Sequence, residues 1–271
     1  MPVAGRRGAA TREHPLRIVL HLALRVVLLV VFATGCSDSQ PTAPRTPPFE
    51  GDVRVLFIGN SLTYTNDLPL VLEALADSAG GATIRTESFA APALSLEDHW
   101  EFGGAQQAIA LGGWDVVVLQ QGPSALESSR VLLLDYAQRF DGEIRKVSAR
   151  PALYSVWPSA DRLGDFPRVA ESYRLAAEAV NGMYFPVTQA WQGTWHRRPD
   201  FPLYGGDQFH PTAAATYLAA LVMYDLLLAR SPVGLPRALM TRSGRTVSLS
   251  AADASLLQAA AAEAVARFGK P

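Results

Sequence analysis

The sequence predicts an α/β domain built on a parallel sheet of about five strands with helices on both faces. Short β-branched, apolar runs alternate with stretches of helical periodicity, the pattern of consecutive βα units. The first run, Val53–Ile58, is apolar at almost every position, as in a strand covered on both sides. About 220 residues remain once the two ends of the 271-residue chain are set aside, enough for one such domain with a full core.

The first strand covers Val53–Ile58, and Gly59-Asn60 breaks the run with two residues that tolerate sharp turns. Ser61 follows directly. An apolar stripe of Leu68, Leu70, Val71, Leu72, Leu75 and Ala76 predicts a helix over 68–79, closed by Gly80-Gly81. Residues 82–89 alternate as a second strand. Ala90–Ala93 forms a loop, and Ser95 with Asp98 matches a helix-capping pattern. Residues 114–121 (WDVVVLQQ) form the third strand and 132–147 a helix. Residues 152–157 form the fourth strand, stopped by Pro158; 166–180 is a helix and 183–187 a short fifth strand. Residues 188–209 read as one long connection, of a length that is more often functional than idle. An Ala/Leu-rich helix is expected over 211–228, starting on Pro211, and a final helix over 250–268. No internal repeat is present.

The N-terminus reads as a targeting segment over residues 1–35. Basic residues precede an apolar stretch, Ile18–Phe32, which ends in Ala33-Thr34-Gly35-Cys36. Small residues before a lone cysteine resemble a bacterial lipoprotein signal, in which Cys36 becomes the lipidated first residue. The stretch is short and carries Arg25, which argues against a membrane-spanning anchor. Cys36 is the only cysteine, so no disulfide forms within the chain. Residues 36–50, with four prolines, read as an extended linker that ties a domain of residues 51–271 to a membrane of the cell envelope. Ser37 stands where an Asp is linked with inner-membrane retention, so the outer membrane stays open as the address. Labelled palmitate is expected to enter the protein; a Cys36→Ala variant that still takes up label would exclude this anchor.

Composition is ordinary for a globular protein, 49% hydrophobic and 18% charged. Without the first 35 residues, 19 basic and 24 acidic residues remain, a balance of −5. Such a surface gives no reason to expect nucleic-acid binding. There is no HExxH, no paired-cysteine metal spacing, no phosphate loop and no dinucleotide fingerprint, so neither a metal nor another cofactor is expected. A Gly-x-Ser-x-Gly elbow is also absent.

Right-handed crossovers place the carboxyl ends of all strands on one rim, where open parallel sheets bind their ligands. That rim collects Asn60-Ser61, Gln120-Gln121-Gly122, Trp157-Pro158 and the segment before Pro211. A serine needs a base to attack at neutral pH. His99, His196 and His210 are the histidines of the domain, and His210 stands three residues after Asp207 in a turn-rich segment. One turn can bring carboxylate and imidazole together, so the carboxylate fixes the ring's tautomer and stabilises the imidazolium. His99 and His196 read as packing or surface residues.

Gly59-Asn60-Ser61-Leu62-Thr63 after the first strand and Asp207-Gln208-Phe209-His210-Pro211-Thr212 before the last large helix together resemble the SGNH (GDSL-type) hydrolase superfamily. The resemblance covers roughly residues 53–230. It implies a three-layer α/β/α sandwich with a flavodoxin-like parallel sheet. It implies Ser61 as catalytic nucleophile, His210 as base and Asp207 as its orienting carboxylate. It also implies an oxyanion hole made of the Ser61 N–H, a backbone N–H from a second block and an amide side chain from a third. The sequence departs from the family there. Asn60 replaces the usual Asp. The second block contains no Gly, leaving the N–H of Ala91 or Ala93. The third offers Gln120 or Gln121 in place of Asn, and a period of two lets only one point inward. Asn60, Trp157 and Trp191 are expected to border the substrate, with Trp195 a further candidate.

The leading expectation is therefore a lipid-anchored serine esterase that removes acetyl or other short acyl groups, with a carbohydrate as the expected substrate. A lipase, lysophospholipase or thioesterase on the same fold is the second reading, favoured by a wide apolar pocket. A non-catalytic carbohydrate-binding lipoprotein is the third.

Overall fold

A computed structural model of the chain describes residues 52–271. The expected signal segment with Cys36 and the expected linker lie outside the described residues. The sheet has five parallel strands: β1 Val53–Gly59, β2 Ile84–Ala90, β3 Val116–Leu119, β4 Arg150–Tyr154 and β5 Met183–Phe185. Their spatial order is β2-β1-β3-β4-β5. β1 pairs with β2 on one side and with β3 on the other. The strand order reverses between β1 and β3, so their carboxyl ends diverge and leave a crevice there. This is the three-layer, flavodoxin-like arrangement expected from the sequence.

The helices are α1 Ser61–Tyr64, α2 Leu68–Ala79, α3 Leu96–Phe102, α4 Gly104–Ala110, α5 Glu127–Lys146, α6 Phe166–Ala179, α7 Val187–Arg197, α8 Ala213–Leu228 and α9 Ala251–Phe268. α2, α7, α8 and α9 pack together as one layer; α3, α4, α5 and α6 form the other. α8 is apolar all round, and residues from Ala215 to Tyr224 are buried without a break, so its place in the interior follows from its composition. Val55, Phe57 and Ile58 of β1 and Val117, Val118 and Leu119 of β3 are fully buried between the layers.

Three expectations need correction, and one element was missed. Residues 188–209 are no structureless connection, because most of their first half is α7, which buries Val187, Ala190 and Trp191 against the core. α8 does not start on Pro211; Thr212 caps it, accepting the Ala215 N–H on its hydroxyl. Gly59 and Asn60 both lie outside the left-handed region, and Asn60 is extended at φ −131°. Gly59 is required instead for close approach, since a Cβ there would collide with Thr63 Oγ1 and Gln120 Oε1. An antiparallel hairpin of β6 Ala238–Met240 and β7 Thr246–Ser248 was not legible in the sequence; its strands are three residues each.

Candidate active site

Ser61 opens α1 directly after β1. The Asn60 side chain caps this turn, its Oδ1 accepting the Leu62 N–H at 3.0 Å. The chain returns to the same place 146 residues later. Asp207 shapes the arriving loop: its Oδ1 accepts the backbone N–H groups of Phe209 (3.1 Å) and His210 (2.9 Å). Its Oδ2 lies 2.5 Å from His210 Nδ1, and His210 Nε2 lies 2.8 Å from Ser61 Oγ. The structure thus brings Ser61, His210 and Asp207 into one continuous hydrogen-bonded chain. The three hydrogen bonds received by Asp207, first that of the imidazole, depress its pKa to about 2. The carboxylate therefore stays ionised beside the ring in all but strongly acidic solution.

The site opens into a cavity of about 760 Å³. Tyr64, Pro92, Leu94, Leu126, Leu132 and Phe209 give it mostly apolar walls. Arg162 and Asp165 form a charged part of the lining. Asp165, with its side chain only 7% exposed, pairs with Arg162 at 2.5 Å and with Arg168.

Neither glutamine of the third block presents a free amide to Ser61. Gln120 is fully buried below the turn. Its Oε1 accepts the Asn60 N–H (2.9 Å) and the Thr63 hydroxyl (2.8 Å), which fixes the amide's orientation. Its Nε2 donates to Asn60 Oδ1 (2.9 Å) and to the Gln121 carbonyl. Gln121 borders the cavity, but its Nε2 is spent on Ser124 Oγ (2.8 Å) and the Ser129 carbonyl (3.2 Å). The expectation that one of them completes the oxyanion hole is corrected on this ground: both amides brace loops. Tyr173, unremarkable in the sequence, supports the same corner from α6. Its buried hydroxyl accepts the Gln121 N–H (3.1 Å) and donates to the Gln121 carbonyl (2.6 Å).

The two alanines of the second block differ. The Ala91 N–H is taken by the Gly59 carbonyl at 3.3 Å. Ala93 sits at φ +59°, in the left-handed region that costs a residue with a Cβ about 1 kcal/mol or more. It lines the cavity, and its N–H has no partner among the described residues. Ala93→Gly is expected to raise unfolding stability by about 1 kcal/mol in urea titrations and to leave kcat/KM within about twofold, because Gly keeps the N–H and relieves the backbone. A loss of activity on that change would show that the methyl group, and not the N–H, matters.

Asn60 borders the cavity and donates from Nδ2 to the Leu94 carbonyl at 3.0 Å, tying the second block to the serine turn. Trp157 and Trp191, expected to border substrate, are fully buried and do not line the cavity. Their rings stack at 3.9 Å, and Trp157 Nε1 donates to the Phe209 carbonyl at 2.9 Å, beneath the His210 loop. Each buries a large ring that local sequence alone could not assign to core or pocket. His99 is a packing residue with a definite partner: the Gly59 carbonyl lies 2.7 Å from its Nε2, so that nitrogen carries the proton. Burial pushes the His99 pKa below the ordinary imidazole value. His196 lies on α7, in a groove with Arg197 and Arg267 and apart from the cavity at Ser61.

No family model matches the chain, and no curated protein does. Solved structures do. One is a candidate SGNH hydrolase from Slackia heliotrinireducens, 26% identical, with a TM-score of 0.53 over 64% of this chain and 97% of that one. A DUF4886 family protein from Bacteroides uniformis superposes with a TM-score of 0.67 at 18% identity, over 79% of this chain and 95% of that one. A lipase/acylhydrolase from Enterococcus faecalis gives 0.52 at 11% identity, over 68% and 97%. At these identities the second and third likenesses speak for the fold. The chain therefore has the three-layer α/β/α fold of the SGNH hydrolases, and the likeness to the Slackia protein supports a place in that superfamily.

Proposed function

We propose that this protein is a serine hydrolase that cleaves carboxylic esters through an acyl-enzyme on Ser61. The observation that carries the reading is the unbroken chain from Ser61 Oγ to His210 Nε2 (2.8 Å) and from His210 Nδ1 to Asp207 (2.5 Å) at the wall of a cavity. His210 takes the Ser61 proton as Oγ attacks the ester carbonyl. Asp207, held ionised, keeps the proton of the neutral ring on Nδ1 and stabilises the imidazolium. The Ser61 and Ala93 N–H groups are the donors we assign to the developing oxyanion. The imidazolium then protonates the departing alcohol, and water, activated by the same ring, releases the acid. With both Gln amides occupied, the hole rests on backbone donors, each worth about 3–4 kcal/mol where it meets the oxyanion.

The cavity favours a larger acyl or alcohol group than acetyl. Its volume of about 760 Å³ and its Leu, Pro, Tyr and Phe lining suit an apolar chain, and Trp157 and Trp191, expected to border the substrate, are in the core. p-Nitrophenyl esters from acetate to decanoate distinguish the readings. We expect kcat/KM to rise about tenfold or more from acetate to hexanoate or octanoate, since each methylene buried contributes up to about 0.8 kcal/mol. A profile that falls from acetate onward restores the acetylesterase reading. No turnover at any length, with no labelling by a fluorophosphonate probe, leaves the non-catalytic binding reading.

A further inference from the structure

Asn66 lies five residues beyond Ser61, in a single 3-10 turn (Thr65–Asp67) between α1 and α2. Its backbone is left-handed, φ +56°, and so is that of Asp67, φ +57°. Two consecutive residues with side chains in this region are costly and persist only where their surroundings hold them. The Asn66 side chain shows what that conformation serves. Nδ2 donates one hydrogen to the carbonyl of Pro211 (2.8 Å) and the other to Thr216 Oγ1 (3.0 Å). Pro211 is the residue after His210. Thr216 is buried in the first turn of α8 and bonds back to the Thr212 carbonyl. Among the described residues, these bonds and the Ser61–His210 bond are the hydrogen bonds that join residues 61–67 to residues 205–216.

We infer that Asn66 is a positioning residue that holds the His210 loop in register with the serine turn. The inference rests on the proposed serine-hydrolase reading. The Ser61–His210 bond must break and re-form in each turnover, as the proton moves to Nε2 and Oγ moves to the carbonyl carbon. A second link that takes no part in the chemistry keeps ring and hydroxyl within reach throughout. The hairpin missed by the sequence braces this link from outside. Asp67 Oδ2 accepts from Ser243 Oγ and Arg245 Nε, each at 3.0 Å, both in the turn joining β6 to β7. Arg242 of that turn also reaches the buried Glu73 on α2 at 3.0 Å. The left-handed pair is thus clamped on one side by the hairpin and delivers its amide on the other to the His210 loop.

Asn66→Gly isolates the amide, because glycine takes the left-handed backbone without penalty. For this variant we expect kcat to fall at least about tenfold with KM within about threefold and Tm within about 3 °C of the parent, the pattern of lost alignment rather than lost binding or folding. Fluorophosphonate labelling of Ser61 should slow by a similar factor. Asn66→Asp, which keeps the shape but cannot donate to the Pro211 carbonyl, should lose at least as much. In a His210→Ala background, Asn66→Gly should cost no more than about twofold further, since a residue acting through His210 has nothing left to position. An unchanged kcat in Asn66→Gly overturns the inference while leaving the hydrolase reading intact. So does a fallen Tm with full kcat per folded molecule, or an undiminished tenfold loss in the His210→Ala background. A parent protein with neither ester turnover nor labelling overturns the hydrolase reading and this inference with it.

Discussion

Ser61→Ala is expected to lower kcat on the preferred p-nitrophenyl ester by at least about 10⁴-fold and to abolish fluorophosphonate labelling. The size of the effect follows from the role: without Oγ no acyl-enzyme forms, and only the oxyanion donors and bound water remain to assist hydrolysis. Stability should hold, because the hydroxyl makes one bond, to a partly exposed imidazole, and the turn is kept by Asn60 and Gln120. Urea unfolding alongside single-turnover kinetics separates the two. Activity within tenfold of the parent in a folded Ser61→Ala protein would place the nucleophile elsewhere and refute the site.

Trp191→Ala is expected to act in the opposite way, through stability. Trp191 is fully buried, stacked on Trp157 at 3.9 Å and met edge-on by Tyr204 at 5.0 Å and Trp195 at 5.6 Å. Removing so large a ring from a closed core costs about 3–5 kcal/mol, because the neighbours cannot collapse into the void. In a domain of this size that lowers Tm by on the order of 10 °C. KM for small esters should stay within about twofold below the transition, since the ring lies outside the cavity. A raised KM at unchanged Tm would return Trp191 to the substrate site.

The chain's architecture was largely written in its periodicities. Apolar runs and amphipathic stripes depend on nearest neighbours in sequence, so five strands and the long helices were legible, with ends shifted by a few residues. Ser61, Asp207 and His210 were legible because each stands in a short block with its own turn chemistry. What escaped at the site was how its polar and aromatic side chains are partnered once the fold closes. Gln120 and Gln121 read as candidate donors, yet their amides are claimed by Asn60, Thr63, Ser124 and Ser129. Local sequence cannot reveal such claims. The tryptophans read as substrate platforms for the same reason: a ring's hydrophobicity does not say whether core or cavity receives it.

The sequence by itself therefore determined the layered α/β plan, the rim on which the site lies, and the serine, aspartate and histidine that converge there. Burial of apolar faces and local turn geometry suffice for those. Only the tertiary structure decided which polar groups remain free after the interior has satisfied its own hydrogen bonds. Buried donors and acceptors must be paired across the fold before any is left for substrate. That requirement occupies both glutamines and the Ala91 N–H. It leaves Ala93, held at a φ that its side chain disfavours, with an unclaimed N–H on the cavity wall.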